Sequence, residues 1–111
     1  MKLYKDTINI GTKKKIMKEL RGVKGWTIKP YATQRIKERN ISIDKLFEVC
    51  REGELIEYHK EKGTRRVLLR DGQGTCVVAD LDTKNIVTVF TNDPENQHDH
   101  LQRDKYLFSG G

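Results

Sequence analysis

The chain has 111 residues, 35% of them hydrophobic and 34% charged, with 22 Lys and Arg against 16 Asp and Glu and a net charge of +6. That length suits one domain with a single modest core, spanning 1–111, and the periodic spacing of its apolar residues excludes a disordered chain. No run approaches the roughly 20 apolar residues of a membrane helix. The opening "MKLYKDTINIGTKKK" lacks the apolar core of a signal peptide, so the expectation is a cytoplasmic protein.

Charge is unevenly spread. Residues 1–39 hold 12 Lys and Arg against 3 Asp and Glu, which leaves 10 against 13 for the rest. A positive field of this kind points to polyanions, RNA or DNA first, with an acidic protein as the other partner class. Cys50 and Cys76 both sit in apolar patterns and read as buried, reduced thiols.

In chain order, residues 1–25 form a basic arm and helix, 26–92 a helix–helix–meander core and 93–111 a polar tail. "LYKDTINIG" suits a short strand or an ordered arm. "TKKKIMKELRG" predicts a helix with Thr12 as N-cap, Ile16 and Leu20 inward and Gly22 at its end. "GWTIK" is a short extended piece, and Pro30 opens a helix reaching Arg39. Tyr31, Arg35 and Arg39 follow one another along that helix at four-residue spacing. "NIS" breaks it, and Ser42 caps the next helix. There Ile43, Leu46, Phe47 and Cys50 make the clearest amphipathic pattern of the chain, with Gly53 in the left-handed C-terminal position.

After Gly53 the period changes from helix to strand. "ELIEYHK", "TRRVLLRD", "TCVVADL" and "IVTVFTN" are joined by "EKG", "DGQG" and "DTKN", an antiparallel meander of four strands. The expected fold is therefore α+β, with N-terminal helices packed on one face of that sheet. The tail "PENQHDHLQRDKYLFSGG" is polar, and the expectation is that it either ends in a short helix or strand at 106–108 or frays. Its His98 and His100 are too few for a zinc site, so no metal and no cofactor are expected.

The order of residues from Ile28 to about Thr91 resembles an uncharacterised bacterial and phage domain family. Its members begin His-Ala-x-x-Arg-x-x-x-Arg-x-Ile, pass a helix ending in Gly, and continue through Ile-Glu-Tyr to a Thr-Val-aromatic strand. The matching residues are Ala32, Arg35, Arg39, Ile41, Gly53, Ile56, Glu57, Tyr58, Arg66 and "TVF" at 88–90. That family is in turn similar to the RelE, barnase and colicin-like ribonuclease-toxin superfold. The resemblance implies metal-independent cleavage of tRNA or other single-stranded RNA, and an antitoxin or immunity protein as partner.

One departure bears on the chemistry. Tyr31 stands where the family has His, and histidine, unlike a phenol, titrates near neutral pH. Tyr31 then stacks on a base, acts as an activated RelE-like tyrosine, or marks a site kept for binding alone.

Cleavage without metal needs a base, an acid and cations around the phosphorane, and arginine suits the last because its fork stays charged and binds phosphate bidentately. Arg35 and Arg66 are the candidates, with His59 (paired along its strand with Glu57) or Thr91 assisting. On "TRRVLLR", alternation puts Arg66 and Arg70 on the face away from Arg65, Val67 and Leu69, and that face is expected to be open and concave. Lys13, Lys14, Lys15, Lys18, Lys29, Arg39 and Arg70 are the candidate nucleic-acid contacts. The rival expectation is a non-catalytic phage or mobile-element protein that uses the same fold to bind nucleic acid or an acidic host protein.

Overall fold

The computed structural model describes residues 2–4, 7–61 and 63–91; the expected element at 106–108 and the His98–His100 pair lie outside them. The described elements are β1 (Lys2–Tyr4), α1 (Ile10–Arg21), β2 (Thr27–Ile28), α2 (Pro30–Arg39), α3 (Ile43–Glu52), β3 (Glu54–Glu61), β4 (Thr64–Arg70), β5 (Thr75–Asp80) and β6 (Asn85–Thr91). The fold class is α+β. Among these residues no helix is long and apolar enough to cross a membrane.

Local chemistry accounts for most helix ends. α1 starts earlier than expected, because Asn9 rather than Thr12 is its N-cap and accepts the Thr12 N–H at 2.8 Å. Asn is the stronger cap, since its carbonyl reaches the orphan donors of the first turn. Pro30 occupies the first turn of α2, where its missing N–H costs nothing, and Asn40 ends the helix in the left-handed region at φ 55°. Ser42 caps α3 by accepting the Lys45 N–H at 3.1 Å.

Gly53 corrects the expectation of a left-handed cap. Its φ of −67° and ψ of 159° are extended. Glycine is needed there for space, since a Cβ would stand 2.5 Å from the Val49 carbonyl oxygen. The chain turns straight from α3 into β3 at that point.

The meander is present, and it is enlarged. β3, β4, β5 and β6 pair antiparallel in sequence, β1 adds antiparallel to β3, and β2 adds parallel to β6, giving six strands in the order β1-β3-β4-β5-β6-β2. The expected four-stranded antiparallel sheet is thus a six-stranded mixed one. Two β-bulges modify it, one between Leu55 and Glu57 and one where Val87 is the extra residue of β6.

All three helices pack on one face. Leu20 of α1, Ala32 of α2 and Leu46, Val49 and Cys50 of α3 join Leu55, Val67, Leu69, Val77, Ile86 and Val89 of the sheet in a single core. Burying each of the larger side chains contributes about 1.5–3 kcal/mol. Cys50 lies in this core and Cys76 on the opposite face, both unbridged, and burial pushes each thiol up to about 12.

Two polar anchors hold helices to strands. Arg65 of β4 donates to both carboxylate oxygens of Glu19 on α1, at 3.0 and 2.8 Å, and to Asp82 in the β5–β6 turn at 2.9 and 2.8 Å. Hydrogen bonds from Arg65 hold the Glu19 and Asp82 carboxyls below their usual range. The second anchor is Asp71, which accepts the backbone N–H of Gln73 at 2.9 Å and of Thr75 at 2.8 Å and pairs with Lys45 of α3 at 2.5 Å. Burial raises the Asp71 carboxyl, but Lys45 and the two N–H donors outweigh it and leave the group lowered. Gly74, at φ 88°, closes this turn.

Candidate functional site

The sheet separates the expected catalytic residues into two groups. Tyr31, Arg35 and Arg39 belong to α2, on the helix side beside β6. Arg39 Nη1 donates to the Thr91 hydroxyl at 3.3 Å, so Thr91 joins this group. His59 and Arg66 pair across β3 and β4 on the opposite, helix-free face. Tyr31 and Arg66 thus belong to elements on opposite sides of the sheet.

On α2, Arg35 lies over the Tyr31 ring, its guanidinium carbon 4.9 Å from the centroid. Its Nε and Nη2 donate to the Tyr31 hydroxyl at 3.0 and 2.7 Å, and its Nη1 pairs with Glu38 at 2.9 Å. Four-residue spacing dictates this contact, since i and i+4 share a helix face. The Arg35 fork is already engaged, and one face of the Tyr31 ring carries its guanidinium.

The helix-free face departs from the open plate of arginines that alternation suggests. Ile56, Leu68, Cys76, Val78, Val87 and Phe90 form a second buried apolar cluster there. Among the polar residues on it are Glu57, fully buried, Thr88, Asp80 and Arg70, all buried, and half-buried His59 and Arg66. The bulge after Leu55 is what brings Ile56 and Glu57 to this face together, opposite Leu68. His59, Arg66 and Asp80 stand side by side on three strands, with Arg66 Nε 4.0 Å from Asp80 Oδ2. Arg70 is only 7% exposed and shares a recess of about 430 Å³ with Glu48, Glu52, Glu54 and Asp71. Four carboxylates make that recess a poor host for a phosphate.

Among the described residues, α1 carries a continuous cationic surface. Ile10, Lys13, Lys14, Met17, Lys18 and Arg21 follow the i, i+3, i+4, i+7 rule along one flank and line a shallow depression of about 510 Å³. Ile10 is 70% exposed. Lys15 points to the other flank of the helix, towards β3 and β4, and Lys29 is the exposed N-cap residue of α2. Among the described residues no group of three or more His, Cys, Asp and Glu is placed to hold a metal ion.

Sequence reasoning missed the Glu19–Arg65–Asp82 anchor. A signal was present: alternation already put Arg65 on the helix face of its strand, where an arginine calls for a carboxylate. No protein family matches this chain, and neither a curated protein nor a solved structure gives a match.

Proposed function

We propose that this protein binds single-stranded RNA through the outer flank of α1, without cleaving it. The observation that carries this reading is the α1 stripe, in which Lys13, Lys14, Lys18 and Arg21 surround the apolar Ile10 and Met17. Spaced cations track a phosphate backbone, and an apolar floor between them accepts bases without reading sequence. The separation of Tyr31 and Arg35 from His59 and Arg66 by the sheet argues for binding over chemistry. The RelE-like and barnase-like superfold, and a cytoplasmic setting, remain part of this proposal.

Titration of the purified protein with a fluorescent single-stranded RNA at several salt concentrations tests it, with total RNA incubated alongside in EDTA. The expected result is affinity that falls steeply with salt, with intact RNA. Lys13→Glu/Lys14→Glu reduces the salt slope by about 1.4, at ~0.7 per lost phosphate contact. Salt-independent affinity, or affinity indifferent to the double substitution, refutes the reading.

One arrangement favours a second reading, metal-independent cleavage. Glu57, His59 and Arg66 share the helix-free face, and His59 and Arg66 are direct cross-strand neighbours. A carboxylate, an imidazole and a guanidinium are the groups that acid–base cleavage of a phosphodiester requires. Discrete cleavage in EDTA that disappears in His59→Ala and survives Tyr31→Phe would establish this reading and locate the chemistry on that face.

A further inference from the structure

The helix-free face of the sheet is dry. Ile56, Leu68, Cys76, Val78, Val87 and Phe90 are each between 0% and 6% exposed, and none of the three described helices contributes to their cluster. Side chains stand roughly perpendicular to a sheet, and their outer ends stay wet unless a second layer covers them. β1 and β2 only widen the sheet at its two edges. Burial this complete, on the central strands β4 and β5, calls for a layer that the described elements do not supply.

Position, length and composition single out residues 92–111. β6 ends at Thr91, one residue past Phe90 of the cluster, and these 20 residues follow it. From β6 to β3 is three strand spacings, about 15 Å, whereas a segment of that length reaches up to about 66–72 Å. It is polar at first and carries Leu101, Tyr106, Leu107 and Phe108 further on, with enough chain to cross the face and return. Its charge fits as well. Arg70 stands on this face beside Cys76 at 7% exposure, and its Nη1 has no hydrogen-bond partner among the described residues. A buried guanidinium requires an acceptor, and the segment holds Asp93, Glu95, Asp99 and Asp104 against Arg103 and Lys105.

We propose that the C-terminal segment 92–111 docks on the helix-free face of its own chain, with Tyr106, Leu107 and Phe108 over Leu68 and Val78 and a carboxylate of the segment on Arg70. The inference goes beyond the RNA-binding reading and does not rest on it, because α1 lies on the other side of the sheet with its outer flank left open.

Two thiols report on the two sides of the sheet, since Cys76 belongs to the helix-free cluster and Cys50 to the helix-side core. Full-length Leu107→Asp/Phe108→Asp is treated with a thiol reagent under native conditions, and the labelled cysteine is located by mass spectrometry. The expected result is Cys76 reacting about tenfold faster than in wild type, equivalent to about 1.4 kcal/mol of lost docking, with Cys50 unchanged. Gln97→Asp/Gln102→Asp, the same added charge at polar positions of the segment, leaves both thiols as in wild type. The wild-type chain supplies a second measurement, nuclear Overhauser contacts between the rings of Tyr106 and Phe108 and the methyl groups of Leu68 and Val78. Contacts within one chain support the docking, including where the first double variant unfolds and exposes both thiols. Contacts found only between differently labelled chains assign the face to a second copy and overturn the proposal. Absence of these contacts, a Cys76 as protected in Leu107→Asp/Phe108→Asp as in wild type, or an equal gain in Gln97→Asp/Gln102→Asp also overturns it.

Discussion

Replacing Arg65 by Met removes the guanidinium and keeps most of the aliphatic stem, so it isolates the charged part of the anchor between α1, β4 and the β5–β6 turn. An exposed ion pair contributes about 0–1 kcal/mol. Here one fork serves two carboxylates, with side-chain exposures of 28% for Arg65, 34% for Glu19 and 37% for Asp82. Discounted for solvent at that exposure, the expected loss is about 1 kcal/mol, with a fall in Tm of about 4–8 °C for a domain of this size. Arg65→Lys restores less than half, because an ammonium cannot span both carboxylates. The pH dependence fixes the origin. The Glu19 and Asp82 carboxyls are lowered in the folded state, chiefly by their hydrogen bonds to Arg65. Their stabilisation is therefore present above the ordinary carboxylate range and is lost as pH falls through the lowered folded values. Urea unfolding of wild type and Arg65→Met is measured between about pH 7 and about pH 2, spanning the unperturbed carboxylate values. The gap in stability should close at the acid end. A gap that stays constant across the range would refute the electrostatic origin and assign the loss to packing of the Arg65 stem.

Gly53→Ala should destabilise by about 1–3 kcal/mol, the usual cost of overpacking, because the new Cβ meets the Val49 carbonyl at 2.5 Å; a thermal melt equal to wild type would refute the contact. Asp71→Ala leaves the Gln73 and Thr75 N–H groups without their acceptor and releases Lys45. It should cost about 1–3 kcal/mol in chemical denaturation, and Asp71→Asn, which keeps the carbonyl oxygen, should recover part of that. Cys50 and Cys76, buried and with thiols pushed up to about 12, should resist a thiol reagent in the folded protein and react at the rate of unfolding. Fast native labelling of either would contradict its burial.

Much of the fold was legible because its signals are local. The apolar spacing of "IDKLFEVC", the Ser42 cap and the turn sequences "DGQG" and "DTKN" each specify a backbone over a few residues. Alternation alone separated Val67 and Leu69 from Leu68, and the two apolar clusters follow that division. The parallel pairing of Thr27 and Ile28 with Asn85 and Ile86 has no such signal, since two residues show no period and their partner lies far along the chain. The two bulges were hidden for a related reason: an extra residue changes which face every later side chain takes, and only pairing with the neighbouring strand reveals it.

The same division holds for the candidate site. Composition and spacing alone determined a basic N-terminal third, a cationic α1 and a tyrosine one turn before Arg35, because charge and i, i+4 geometry are properties of the chain itself. Tertiary structure decided which of these residues meet. It stacked Arg35 on Tyr31, tied Arg65 to Glu19 and Asp82, and put Arg66 across the sheet from α2. Residues distant in sequence become neighbours only when helices choose a face of the sheet, and that choice follows from burying the whole apolar core at once, a sum over the fold that no local segment contains.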